Sequence, residues 1–264
     1  MTEKLTVDQI REFWTTQALD HRESPSASWS DRMVIELEIR EMSKRLTTGD
    51  RVLDVGCANG YSTVRYARDK AITIRGVDYI PEMIAHAKAR LESEPRLAST
   101  IEFAVGNILQ LDEPSATYDK VIATRVIINL AAWDAQIRGM EECARVLKPG
   151  GILLLSEATV QGWTKLNEFR GEWGLPPIPM PSFNTYIDQP RLVSAVSRSL
   201  ELVETVDFAS TYYVGTRVLK PLLAQVAGTS ARIADPEMHW NRWVAALPAA
   251  GDYGTQKLLI FRRR

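Results

Sequence analysis

From about residue 50 to residue 160 the sequence alternates between short apolar runs and segments with helical spacing. The apolar runs predict five strands, at 51–55, 71–78, 101–105, 118–123 and 152–157. Helices are predicted between them, including one that opens at Pro81 and one over roughly 132–147. Strands interleaved with helices imply a parallel sheet with right-handed crossovers. We therefore expect a doubly wound, Rossmann-like sheet with helices on both faces.

The segments outside this core are less regular. Residues 1–48 are predicted to form a helical cap in two pieces, broken at the Ser-rich stretch 24–28. A sixth strand is predicted at 202–208 and a closing strand within 251–264, which brings the mostly parallel sheet to seven strands. We interpret the chain as a single domain. Ligands of such sheets lie beyond the carboxyl ends of the strands.

Composition excludes several classes of protein. The 32 lysines and arginines nearly balance the 33 aspartates and glutamates. The net charge of −1 therefore shows no excess of positive charge of the kind that binds nucleic acid. No apolar stretch approaches the roughly 20 residues that span a bilayer, and the first residues lack a signal-peptide pattern. Cys57 and Cys143 are the two cysteines, and they show no metal-ligand spacing. We expect a cytoplasmic protein without disulfide or metal.

A glycine-rich turn follows the first predicted strand over 54–60, with the sequence DVGCANG. Gly56 and Gly60 let the backbone turn sharply and approach a ligand where a Cβ atom would collide. The turn leads into a helix whose free N–H groups attract an anionic group, while Asp54 can face a cationic amine. These properties suit the amino-acid end of a zwitterionic ligand. The alternative is an ordinary strand–helix turn.

A second acidic residue, Asp78, ends the next predicted strand. A carboxylate at this place accepts hydrogen bonds from ribose hydroxyls, and Tyr79 and Met83 would then lie against a nucleobase. The alternative for Tyr79 is an ordinary amphipathic surface position. Residues 57–59 lack the third glycine of a dinucleotide site and no P-loop is present, so the pattern favours an adenosine ligand without a pyrophosphate.

Five motifs in order resemble those of the class I S-adenosylmethionine-dependent methyltransferases of the small-molecule type. They cover about residues 46–160 and lie at 54–60, 78, 106–108, 118–122 and 146–151. The resemblance implies that S-adenosylmethionine is the cofactor. It assigns the methionine part to Asp54, Gly56, Cys57 and Gly60, the ribose to Asp78, and the adenine to Asn107 and Ile108.

The sequence departs from the family pattern at two places. The family more often has aspartate at the position of Asn107, whose side-chain oxygen can still accept a hydrogen bond from adenine. Many relatives carry histidine near Asn129. Arg125 is predicted to hold the cofactor carboxylate or an acidic acceptor, with an ordinary salt-bridged arginine as the alternative. Trp29, in the cap, is predicted to close over the cofactor.

The two segments 161–188 and 209–250 are predicted to build the acceptor site. The first contains the stiff, Pro-rich stretch 174–181, and both are rich in aromatic residues, which stack on sugars and planar rings. A hydroxyl acceptor needs a general base, whereas an amine must only be uncharged when it attacks. The candidates for a base are His239, Glu157 and His21, each with a structural role as its alternative.

We expect a methyltransferase that acts on a hydroxyl or amine of a small molecule, such as a sugar or a secondary metabolite. The acceptor class rests on the resemblance and the aromatic content. Three alternatives stay open: a methyltransferase for a macromolecule, a non-catalytic cofactor-binding protein, and a nicotinamide dehydrogenase, which the glycine spacing disfavours. The oligomeric state is also open, and a homodimer is one of its possibilities.

Overall fold

The computed structural model describes residues 5–229 and 235–264. Its centre is a seven-stranded sheet with the strand order β3-β2-β1-β4-β5-β7-β6. β7 runs antiparallel to β5 and β6, and the other pairings are parallel. The strands are β1 (Arg51–Val55), β2 (Thr73–Asp78), β3 (Thr100–Val105), β4 (Tyr118–Thr124), β5 (Leu147–Ala158), β6 (Leu200–Val206) and β7 (Gln256–Arg263). The predicted fold class is confirmed.

Helices cover both faces of this sheet. The α-helices are α1 (Val7–His21), α2 (Arg32–Ser43), α3 (Tyr61–Asp69), α4 (Pro81–Ser93), α5 (Trp133–Val146), α6 (Val160–Glu172), α7 (Gln189–Ala195), α8 (Ser210–Val214), α9 (Lys220–Val226) and α10 (His239–Ala246). Short 3₁₀ turns lie at Pro25–Ala27 and Ile127–Asn129, and a π-helical turn at Gly215–Leu219 joins α8 to α9. In the described part of the chain, no helix is both long and apolar enough to cross a bilayer.

The central strands are buried on both faces because their side chains alternate between two apolar layers. Val121 and Leu153 belong to the layer covered by α5 and α7. Their neighbours Ile122 and Leu154 belong to the opposite layer, which α2, α3, α8 and α10 cover. This two-sided burial fixes the register of the sheet and therefore the positions of the turns at its carboxyl edge.

The start of β5 differs from the sequence prediction. β5 begins at Leu147 instead of residue 152, because Leu147 already pairs with Tyr118 of β4 before the register shifts. Gly150, at φ 76°, lies inside this strand and does not end it.

α8 contacts the residue that precedes α2. The Tyr212 hydroxyl of α8 donates to Asp31 Oδ1 at 2.8 Å.

Candidate active site

A cavity of about 280 Å³ opens at the carboxyl ends of β1, β2 and β4. Its walls are the turn after β1, the start of α4, the residues after β3, the turn after β4, and one side of α1. This is the edge at which parallel sheets of this kind bind ligands, because the strand order reverses there. The cavity therefore lies where the sequence motifs predict a ligand.

At two positions of the turn after β1, the backbone conformation favours glycine. Gly56 and Gly60 have φ values of 73° and 72°, in the left-handed region. A Cβ atom on Gly56 would lie 2.9 Å from Val126 Cβ, and one on Gly60 would lie 2.7 Å from Phe103 Cζ. Gly60 also caps the start of α3. The glycines are thus required by packing as well as by close approach to a ligand.

Two carboxyl groups border the cavity. Asp54 is 3% exposed and accepts a hydrogen bond from Thr63 Oγ1 at 2.5 Å; burial raises its pKa to about 7. Asp78 accepts from the backbone N–H groups of Ala58 and Ile80, each at 2.9 Å, and burial raises its pKa to about 6. Asp78 therefore holds the glycine turn to the start of α4. A cationic ligand would favour the ionised form of both carboxyls.

The predicted adenine residues lie on the same cavity. Ile108 and Met83 line it as buried apolar residues. Asn107 also lines it, but its Oδ1 accepts a hydrogen bond from Leu109 N at 2.9 Å, so the oxygen has one remaining lone pair for a ligand. Tyr79 is 44% exposed, and the Arg11 guanidinium lies 5.2 Å from its ring centroid.

Arg125 lines the cavity in an ion pair with a buried carboxylate. Its Nη1 donates to Oε2 of Glu38. The other carboxylate oxygen of Glu38, Oε1, accepts hydrogen bonds from Ser156 and Gln256. The guanidinium lies 5.2 Å from the ring centroid of Trp29. Cys57 lines the cavity too, whereas Ser28 rather than Trp29 does so from the cap. The salt-bridged alternative for Arg125 is therefore present, and Trp29 contacts Arg125 without lining the cavity.

None of the three base candidates is among the described residues that line the cavity. His21 is exposed at the end of α1, and His239 is exposed at the start of α10. Glu157 is fully buried beneath the turn after β4, where its Oε1 accepts from Val126 N at 2.8 Å and Ile127 N at 2.7 Å. None of the three therefore lies on the cavity surface, and Glu157 supports the backbone of a cavity wall.

Glu157→Gln is expected to flatten the pH dependence of stability. Burial raises the pKa of Glu157 from 4.5 to about 8. The folded protein therefore binds one more proton than the unfolded chain between these values, and the free energy of unfolding falls as pH rises through this window. Glutamine keeps an acceptor oxygen for both N–H groups but removes the titration.

Urea unfolding at about pH 5.5 and pH 8.5 measures this difference. The matched control is Glu102→Gln, because the Glu102 side chain is 65% exposed and its change should leave the pH dependence intact. An equal fall in the free energy of unfolding for wild type and Glu157→Gln would contradict the assignment.

Sequence reasoning missed the contribution of α1. Val7, Ile10, Arg11 and Trp14 line the cavity from this helix. Their spacing of i, i+3, i+4 and i+7 is that of one helix face, which is the signal that could have found them. Asn59 was also missed as an individual side chain, although it is 1% exposed and lies on the cavity.

Several polar atoms around the cavity lack a partner within the described residues. They belong to cavity-lining side chains and are Trp14 Nε1, Thr124 Oγ1, Arg125 Nε and Asn129 Oδ1. Buried polar groups are ordinarily hydrogen-bonded. Donors and acceptors on a bound ligand, with small adjustments of these side chains, would supply the missing bonds. The residues present therefore fit a polar, adenosine-type ligand. In the same described ranges, no cluster of His, Cys, Asp or Glu is arranged to hold a metal ion.

Comparison with known proteins identifies a methyltransferase domain in this part of the chain. Residues 52–151 match the family model described as "Methyltransferase domain". A probable S-adenosylmethionine-dependent methyltransferase of Mycolicibacterium smegmatis is 39% identical over 108 residues, 41% of this chain and 38% of that protein. O-methyltransferase resE of Aspergillus sclerotiorum is 28% identical over 137 residues, 51% of this chain and 50% of that protein. The chain thus spans half or less of the length of these relatives.

The fold is also found among solved structures. Magnesium protoporphyrin IX methyltransferase from Synechocystis PCC 6803, solved with bound S-adenosylhomocysteine, has a TM-score of 0.64 and 14% identity. The similarity covers 97% of this chain and 99% of that one, and at this identity it concerns the fold alone. The ordered motifs, the sheet and the matched domain agree. Residues 52–151 form a methyltransferase domain within the fold of the class I S-adenosylmethionine-dependent methyltransferases.

Proposed function

We propose that this protein transfers a methyl group from S-adenosylmethionine to a hydroxyl or amine of a small molecule. One observation carries the proposal: the cavity brings the glycine turn, Asp78 and Asn107 together at the point where the strand order reverses. An adenosine ligand without a pyrophosphate requires three features: a glycine turn, a carboxylate for the ribose and a polar residue that contacts the adenine.

The residues have distinct roles in this proposal. Asp54 and the turn with Gly56, Cys57 and Gly60 hold the amino-acid end of the cofactor, and Arg125 faces its carboxylate from the opposite wall. Asp78 accepts from the ribose hydroxyls. Asn107 and Ile108 contact the adenine, with Met83 and Tyr79 beside it.

The cofactor supplies an activated methyl group on a sulfonium, which is a good leaving group. The chain must then align the acceptor and keep water away, and positioning of this kind accounts for roughly 7–11 kcal/mol of a barrier. Arg125 and Trp29 stiffen one wall through Glu38, which is 1% exposed. α1 covers another wall. These contacts orient the reactants without requiring a group that forms a covalent bond.

The acceptor is proposed to be a small molecule. The Aspergillus relative is an O-methyltransferase, and this similarity supports an oxygen acceptor. For a hydroxyl acceptor, His239, His21 or Glu157 would have to act as the base. Because all three lie outside the cavity lining, each would require a movement toward the cofactor. An amine acceptor would require none of them.

Transfer of label from methyl-tritiated S-adenosylmethionine into a metabolite extract tests the function directly. We expect label in a small organic product, and turnover that survives alanine at His21 and His239 and glutamine at Glu157 would favour an amine. Binding of S-adenosylhomocysteine without any transfer across extracts and candidate acceptors would instead favour the non-catalytic alternative. The matched control is the Asp78→Ala variant, which should transfer little label because it binds the cofactor poorly.

A further inference from the structure

Helix α1 forms one side of the cavity although it lies far from the methyltransferase motifs in sequence. Val7, Ile10, Arg11 and Trp14 all face the cavity. Arg11 also contacts Tyr79, which follows the ribose-binding Asp78. The helix therefore covers the place where the adenosine part of the cofactor is proposed to bind.

α1 forms one wall of this cavity, whose volume is about 280 Å³. The residues of its floor are almost inaccessible to water, with Asp54, Cys57 and Met83 exposed by 3%, 6% and 2%. The position of α1 therefore governs how freely a ligand reaches these residues.

The carboxyl end of α1 is fastened to the glycine turn. The Asn59 side-chain Nδ2 donates to the backbone carbonyls of Arg22 and Ser24, each at 2.7 Å. Arg90 of α4 donates from Nε to the Asn59 carbonyl at 3.0 Å and also contacts the carbonyl of Glu23. Arg22 has a left-handed φ of 49°, where the chain leaves the helix. Asn59 is buried and its side chain makes two hydrogen bonds, so it fixes the carboxyl end of α1.

The middle and the amino end of α1 are held differently. Phe183 stacks on Phe13, with ring centroids 4.4 Å apart, and meets Trp14 edge-on at 5.8 Å. One backbone bond, from Leu5 N to the Ser182 carbonyl at 3.3 Å, joins the same two segments. All three rings are half-buried. These side-chain contacts separate more easily than the buried amide bonds of Asn59.

We infer that Asn59 is a positioning residue that anchors α1 as a hinged cover over the cofactor. The cover turns about Arg22–Ser24 and opens away from Phe183, which contacts Phe13 and Trp14 in the middle of the helix. Because Phe183 lies in the segment 161–188, cofactor retention is coupled to that segment. A closed cover excludes water from the sulfonium and slows loss of the cofactor. This inference rests on the proposed function, since it requires the cavity to bind the cofactor.

Stopped-flow binding of S-adenosylhomocysteine to the full chain tests the role of Asn59. In Asn59→Ala the dissociation rate constant should rise about tenfold, which corresponds to the loss of roughly one net hydrogen bond. The association rate constant should stay the same or rise, because a loosened cover obstructs access less. A fall in the association rate constant would mean that the glycine turn itself is damaged, and it would overturn the inference.

Ser99→Ala is the matched control. Ser99 is half-buried, and its Oγ lies within hydrogen-bond distance of two backbone carbonyls, Ala67 at 2.8 Å and Lys70 at 2.6 Å, outside both the cavity and the segment 161–188. Its loss should leave both rate constants unchanged. Equal dissociation from Asn59→Ala and Ser99→Ala overturns the cover while the proposed function stands. Absence of binding by the unchanged protein overturns both.

Phe183→Ala tests the contact in the middle of the helix, and it provides the test if Asn59→Ala does not fold. Both the association and the dissociation rate constants should rise, each by about threefold, in line with the loss of aromatic pair contacts. Thermal unfolding monitored by circular dichroism verifies that the variant is folded. Rate constants equal to those of the wild type would show that α1 does not separate from Phe183, and would overturn the inference.

Discussion

Asp78→Ala is expected to weaken the binding of S-adenosylhomocysteine by about 100-fold. Hydrogen bonds to a charged group contribute roughly 1.5–3 kcal/mol each, and loss of the ribose contacts at about 3 kcal/mol corresponds to two factors of ten. The same carboxylate holds Ala58 N and Ile80 N, so its removal also loosens the glycine turn. Titration calorimetry with purified protein measures the change.

Asp119→Ala is the matched control for this loss. Asp119 is also an aspartate with a backbone partner, Arg51 N at 2.9 Å, but it lies at the opposite edge of the sheet and pairs with Lys148. Its removal should leave affinity unchanged. A dissociation constant for Asp78→Ala within threefold of the wild-type value would contradict the assignment of Asp78 to the ribose.

Gly60→Ala is expected to lower the free energy of unfolding by about 3 kcal/mol. A left-handed backbone costs a residue with a Cβ atom roughly 1–2 kcal/mol, and overpacking a close contact adds about 1–3 kcal/mol. The contact here is with Phe103, whose Cζ would lie 2.7 Å from the added atom. Urea denaturation measures the loss.

A comparison with a second glycine, Gly150, separates the backbone contribution from the packing contribution. Gly150 has nearly the same φ, 76° against 72°, but an added Cβ atom there would meet nothing within 4 Å. Gly150→Ala should therefore lower the free energy of unfolding by only about 1 kcal/mol, the backbone contribution. Equal losses at the two positions would show that contact with Phe103 is unimportant.

The core of the fold could be predicted because its signals are local. Apolar runs, Pro81 at the start of a helix and the turn over 54–60 each constrain a few adjacent residues. The parallel order then follows from general rules of chirality and connection. The placement of Asp78 at the carboxyl edge is a consequence of where β2 ends.

The rest of the site depends on contacts between distant parts of the chain. The bonds from Asn59 to Arg22 and Ser24 join residues 37 and 35 positions apart, and composition gives no sign of them. Glu157 follows a strand end as predicted, but its side chain turns beneath Val126 instead of toward the cavity. Local patterns place a residue on an element without specifying the partner of its side chain.

One aromatic ring links positions that lie far apart in the sequence. Phe103 would contact a Cβ atom on Gly60 at 2.7 Å and one on Gly76 at the same distance. The side-chain sizes at positions 60, 76 and 103 therefore depend on one another. A large ring at position 103 of β3 requires glycine at positions 60 and 76. Among homologous chains, an alanine at either glycine position should accompany a smaller side chain at position 103. Covariation at these sites would then reflect packing, independently of which acceptor each enzyme uses.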